Sequence, residues 1–146
     1  MTRFLLDTNT VSALVKDPTG PAAQRAMAAD GDDLFTNVVI ASEIAYGFHR
    51  RPGRRTDLLQ AQWVALCEMV PVASLDEDVV GHSATIRVAL EAAGTPIGSN
   101  DLLIAAHALS LGAVVVTDNV REFSRVPGLQ VENWLVPVDP PGEGPT

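Results

Sequence analysis

The stretch Asp101–Asn119, DLLIAAHALSLGAVVVTDN, decides the architecture. Its first twelve residues are apolar almost all round, which describes a helix buried on every side. They lead straight into Ala113–Thr117, AVVVT, with no alternation of apolar and polar positions. Continuous apolarity marks an interior strand covered on both faces, as in a parallel sheet whose crossovers are helices. The run then stops at a carboxylate, Asp118.

The same event occurs at the other end of the chain. RFLLD, residues 3–7, reads as a short buried strand that ends in Asp7, and TNTVSALVK as a helix capped by Asp7 or Thr8. Between the two strands, PAAQRAMAAD is a short helix closed by Gly31, DLFT a strand, and VVIASEIAYGFHR a helix with Ile40, Ile44 and Phe48 on one stripe. RRTDLLQAQWVALCEM is a further amphipathic helix and VPVA a candidate strand. DEDVVGHSATIRVALEAAG is a long helix starting at Ser74 or Asp76 and ending at Gly94. After AVVVT, DNVREF is a turn with a short helix, and LQVENW an edge strand. Strands alternating with helices predict an α/β fold with a mostly parallel central sheet flanked by helices on both faces. Residues 1–135 form one domain, and the Pro/Gly-rich residues 136–146 a mobile tail.

In such a sheet the strand ends share one edge, where open α/β folds bind ligands. Asp7 and Asp118 both belong to that edge. A cap or turn explains each alone; the pair is harder to dismiss. Asp101 opens the buried helix, where negative charge suits the helix dipole, yet it shares a face with Ile104, Ala105 and Ala108. Glu43 lies just outside the stripe of its helix and is the only charge in the twelve residues from Asn37 to Phe48. Carboxylates gathered in one cleft repel one another, and a divalent cation relieves the repulsion. Oxygen donors without a Cys or His cluster favour Mg²⁺ or Mn²⁺ over zinc. His49, His82 and His107 show no zinc spacing, and Walker, GxSxG and CxxC motifs are absent. Such a site suits hydrolysis of a phosphodiester.

Composition narrows the classes. The 146 residues carry a formal net charge of −8, against non-specific nucleic-acid binding by bulk electrostatics. Four of the ten basic residues nevertheless fall in HRRPGRR (Arg50, Arg51, Arg54, Arg55) and two in NVREFSR (Arg121, Arg125), candidate phosphate contacts or plain solvated loop charge. The single Cys67 fits a reducing cytoplasm. No apolar run approaches the roughly 20 residues of a membrane helix, and the opening residues, with Arg3 and Asp7 around three apolar positions, are not expected to act as a signal peptide.

Taken together, FLLDTNTVSAL, IASEIAYGF and PIGSNDLLIAAHALSLGAVVVTDNVREFSRVPGLQVENW resemble PIN-domain proteins, and among them the VapC toxin ribonucleases of VapBC toxin–antitoxin pairs. The carriers are DTN after the first strand, D-x-L-I-A-A-x-A, V-T-x-N-x-x-E-F and P-G-L-x-V-x-N-W, spanning about residues 3–134. The resemblance implies a Mg²⁺ site with Asp7, Glu43 and Asp101 on the first three acidic positions. Many relatives carry Thr-x-Asp after the last core strand, which would place the fourth acid at Asn119. Either Asp118 takes that role, or Asn119 supports the site through water. Asp7 and Asp101 would hold the ion, and Glu43 with Asp118 or Asn119 would position or deprotonate the attacking water. The resemblance also implies structured RNA, often tRNA, as substrate, with 5′-phosphate and 3′-hydroxyl products. It implies a homodimer and a cognate VapB-type antitoxin whose arginine pairs with the carboxylates. The competing readings are a Mg²⁺-dependent phosphatase, disfavoured because Asn9 stands where its second aspartate belongs, and a catalytically silent PIN fold used for binding. A receiver-like signalling domain is disfavoured by the lack of a late lysine, Lys16 being the only one.

Overall fold

The structure, a computed structural model, describes residues 1–29 and 32–137. Five strands, β1 (Arg3–Leu6), β2 (Asp33–Asn37), β3 (Val72–Ala73), β4 (Val114–Val116) and β5 (Val131–Glu132), form one sheet in the order β3-β2-β1-β4-β5. Every pairing is parallel. The connections run through α1 (Thr8–Lys16), α2 (Pro21–Ala28), α3 (Val38–Arg50), α4 (Arg54–Leu66), α5 (Asp78–Ala92), α6 (Ser99–Leu111) and α7 (Val120–Phe123). The expected closing residue Gly31 and residues 138–146 of the expected tail lie outside the described residues.

The unbroken apolarity of β1 and β4 has a direct structural cause. Successive side chains alternate between faces, and both faces are covered. Leu5 and Val115 enter a cluster with Phe35, Ile86, Leu90 and Ile104, beneath α5 and α6. Phe4, Leu6, Val114 and Val116 enter a second cluster with Val11, Ala22 and Trp134, beneath α1 and α2. Trp134 packs on Phe4 with ring centroids 5.0 Å apart, fastening the last described segment to the sheet.

Helix α6 is buried from Ile104 to Ala108, His107 included. It stops at Gly112, whose φ of 63° lies in the left-handed region, so the chain turns directly into β4. Helix α5 begins at Asp78, later than the expected Ser74 or Asp76. The Asp76 carboxylate accepts the Asp78 N–H at 3.0 Å, and that local turn competes with the helix over residues 76–78. The candidate strands at VPVA and LQVENW are each only two residues long, Val72–Ala73 and Val131–Glu132, and they form the two edges of the sheet, as expected for LQVENW.

Candidate active site

Parallel registry brings the strand ends together. Leu6 faces Val116, so Asp7 and Thr117 emerge side by side, and the Asp7 N–H donates to the Val116 carbonyl at 2.9 Å. Asp7 then does two things. Its Oδ1 accepts the Thr8 N–H at 2.8 Å, capping α1, while Oδ2 accepts the Thr117 hydroxyl at 2.8 Å. Burial raises the Asp7 carboxyl above the usual carboxylate range; these hydrogen bonds pull it back, and the charges of Glu43 and Asp118 push it further up.

Glu43 reaches the same cleft from α3. That helix is aimed by Asn37, whose buried side-chain oxygen accepts the Ile40 N–H at 3.0 Å while its amide nitrogen lies 3.0 Å from Nδ1 of the buried His107. One Glu43 oxygen accepts the Thr8 hydroxyl at 2.6 Å, and the other accepts the Asn100 amide at 3.1 Å. Glu43 thus ties the start of α1 to the start of α6. Asp101 stands one residue further on in the first turn of α6.

The partner of Asp101 is an acid that the strand-end reasoning passed over. Glu122, on α7, meets the Asp101 carboxyl. Burial, the hydrogen bond to Glu122, and then the charges of Glu122, Asp7 and Glu43 push Asp101 up to about 7. Glu122 moves the other way. Its partial burial is outweighed by hydrogen bonds from the Asn119 amide, the Gly98 N–H at 3.2 Å and the Asp101 carboxyl, with the Arg125 charge adding to them. The two acids therefore titrate as a pair, with proton binding favoured on the Asp101 side and disfavoured on the Glu122 side.

Asp118 is placed differently. It is exposed, and both of its oxygens lie within 3.0 and 3.1 Å of the Asn9 amide. Asn119 donates its side-chain amide to Glu122 and its N–H to the Thr117 hydroxyl at 3.0 Å. Of the four acids expected from the sequence, Asp7, Glu43 and Asp101 converge, Asp118 sits on the rim, and Glu122 completes the interior. The missed signal was an acid in the first turn of the short helix that follows the strand. It lies within V-T-x-N-x-x-E-F, a motif that carries the family resemblance. Arg125 itself is engaged by the Pro96 carbonyl at 3.3 Å and by the Glu122 charge.

The donor set fits a hard divalent ion. Asp7, Glu43, Asp101 and Glu122 supply oxygen ligands only, and two of them are raised above their usual range, so the cleft carries more negative charge than it stabilises. Among the described residues no three His, Cys, Asp or Glu side chains form a ready-made cage. By donor chemistry, carboxylate oxygens suit Mg²⁺, which keeps several waters and takes one or two carboxylates, better than zinc, which favours His and Cys ligands. His107 is committed to Asn37 in the core, and His49 to the Ala45 carbonyl.

Comparison with known proteins agrees with this geometry. The family model of the PIN domain matches residues 4–129. The chain is 32% identical over 134 residues to the tRNA(fMet)-specific endonuclease VapC of Salmonella typhimurium, covering 92% of this chain and 99% of that one. It is 30% identical over 132 residues to ribonuclease VapC2 of Rickettsia felis, covering 90% and 97%. Among solved structures, VapBC-1 from nontypeable Haemophilus influenzae superposes with a TM-score of 0.80 at 33% identity, over 91% of this chain and 98% of that one. VapBC2 from Rickettsia felis, bound to a DNA fragment from its promoter, gives 0.83 at 25% identity, over 91% and 99%. Five parallel strands, a carboxylate cleft at their shared edge and matches along nearly the whole length lead to one conclusion: the chain belongs to the PIN-domain family, among its VapC members.

Proposed function

We propose that the chain is a Mg²⁺-dependent endoribonuclease, the toxin of a type II toxin–antitoxin pair, which cleaves structured RNA of the tRNA class. The observation that carries this reading is the convergence of Asp7, Glu43, Asp101 and Glu122 from four separate segments on one strand-end cleft. Asp7 and Asp101 would hold the ion, which would supply positive charge at the scissile phosphate. Glu43, oriented by the Thr8 hydroxyl and the Asn100 amide, takes the proton of the attacking water. Thr117 holds Asp7 in place, and Asn119 holds Glu122 against Asp101. Water attack with departure of the 3′ oxygen leaves 5′-phosphate and 3′-hydroxyl ends.

The relatives named VapBC in complex support a VapB-type antitoxin as partner, with an arginine entering the carboxylate cleft. The working form is a homodimer, and the compartment is the cytoplasm. No helix among the described residues is long and apolar enough to cross a membrane. The test is cleavage of a purified tRNA pool by wild type and Asp7→Ala, with Mg²⁺ or with EDTA. Discrete 5′-phosphorylated fragments requiring both Mg²⁺ and Asp7 are expected. Cleavage that survives the substitution would refute the assignment of activity to this cleft.

A further inference from the structure

Beyond Glu43 and Thr8 the carboxylate cleft continues into a groove of about 540 Å³ between α1, α3 and α4. That volume lies within the range of about 300–1,000 Å³ typical of ligand clefts. Its apolar lining includes Val11, Ile44, Phe48, Leu59 and Trp63. Lys16, Arg50, Arg51 and Arg55 line it as well, and Glu43 is its one acid. In a chain with 18 acidic and 10 basic residues this is a pronounced local reversal of sign.

The four cations are also uncommitted. Among the described residues the ion pairs are Arg3–Asp33 and Arg87–Glu91, and neither involves the groove. The Arg50 guanidinium lies over the Tyr46 ring, 5.5 Å from its centroid, which braces it while leaving its edge donors available. The turn that carries these arginines, HRRPGRR, joins α3 to α4 at the mouth of the groove.

We propose that this groove is the binding track for the RNA strand flanking the scissile phosphate. Lys16, Arg50, Arg51 and Arg55 contact its backbone, and a base rests on the apolar lining at Phe48 and Trp63. The proposal rests on the ribonuclease reading and extends it to the residues that hold substrate. The chemistry is that of single-strand tracks, where positive charge follows the phosphates and aromatic side chains accept any base. The groove is continuous with Glu43, so a strand whose scissile bond lies at the carboxylates extends directly into it. Phosphates entering a cleft of four acids meet repulsion, and the cations beside Glu43 offset it at the point of entry. Contacts of this kind set register and affinity without reading sequence. An acidic peptide also matches the charge of the groove, and the experiment separates it from RNA.

The experiment uses the full chain and the same tRNA pool. Binding is read in EDTA by fluorescence anisotropy across a salt series, and cleavage is read in Mg²⁺. In Arg50→Gln/Arg51→Gln/Arg55→Gln, KM is expected to rise at least about tenfold while kcat falls less than about twofold. The slope of log affinity against log salt becomes shallower by about 2–3, one step per lost phosphate contact. Arg87→Gln, on the far helix α5, serves as the control that leaves binding unchanged. RNA quenches Trp63 emission in wild type, and Trp63→Leu abolishes the response, because the other tryptophan, Trp134, is 2% exposed. If wild type cuts RNA while the triple variant binds with unchanged KM and slope, the groove proposal fails and the ribonuclease reading stands. Loss of binding to an acidic peptide alone, with RNA binding intact, overturns it in favour of the peptide. If wild type cuts no RNA, the ribonuclease reading fails. The groove is then judged by binding in EDTA, where an arginine-dependent salt slope supports it and a slope independent of the arginines refutes it.

Discussion

Strands β1 and β4 are neighbours, both apolar on both faces, and both are followed within two residues by an aspartate. Their ends nevertheless differ. After β1, Asp7 is 9% exposed, caps α1 and takes the Thr117 hydroxyl. After β4, the position beside Asp7 is that threonine, and Asp118 lies one residue later, exposed and facing the Asn9 amide. The acid that β4 sends into the cleft is Glu122, carried inward by the tight turn and α7. A one-residue offset at the strand end decides which carboxylate is buried, because side-chain direction changes with each residue.

A large effect on this contrast is expected from Thr117. Thr117→Val keeps the shape but removes the donor to Asp7 and the acceptor for the Asn119 N–H. Loss of a group that orients a metal-holding carboxylate typically costs about 10–100-fold. Steady-state cleavage of the tRNA pool should therefore show kcat/KM down by about that factor. A change below threefold would mean that Asp7 is held by its α1 cap alone.

A smaller effect concerns the interior pair on the β4 side. Asp101, pushed up to about 7, keeps a proton that the unfolded chain loses near pH 4. Its contribution to stability is thus present below about pH 4 and lost as pH rises through about 7. Asp7 is raised as well and acts in the same direction, while the lowered Glu122 acts oppositely, its contribution being lost on acidification. In EDTA, the Tm is expected to fall between about pH 5 and 7.5, and Asp101→Asn should remove most of that fall. A Tm that stays flat in wild type over this window would show that the two acids do not share a proton.

Much of this was legible in the sequence, for identifiable reasons. Uninterrupted apolar runs at residues 4–6 and 113–116 require a doubly covered parallel sheet, and that is the sheet observed. Asp7 was legible as a strand-end acid, and Asp101 as a charge on a buried helix face. Other features depend on tertiary geometry. The α5 start was displaced by an Asp76 turn that propensity does not weigh. Glu43 owes its place to the path of α3, set by Asn37 against His107, two residues 70 positions apart. Glu122 was missed because reasoning from strand ends stops where the strand stops, whereas the turn through Asn119 brings a later residue back to the edge.

The most direct measurement compares Glu122→Gln with Asp118→Asn, each assayed for Mg²⁺ binding by titration calorimetry and for cleavage of the tRNA pool. With Glu122 inside the cleft, its substitution should weaken Mg²⁺ binding and lower kcat/KM by about 10²-fold or more, within the range for a group acting at the reacting centre. Asp118→Asn should change both by less than threefold. The reverse order, with Asp118 essential and Glu122 dispensable, would contradict the account and return the fourth position to the strand-end aspartate.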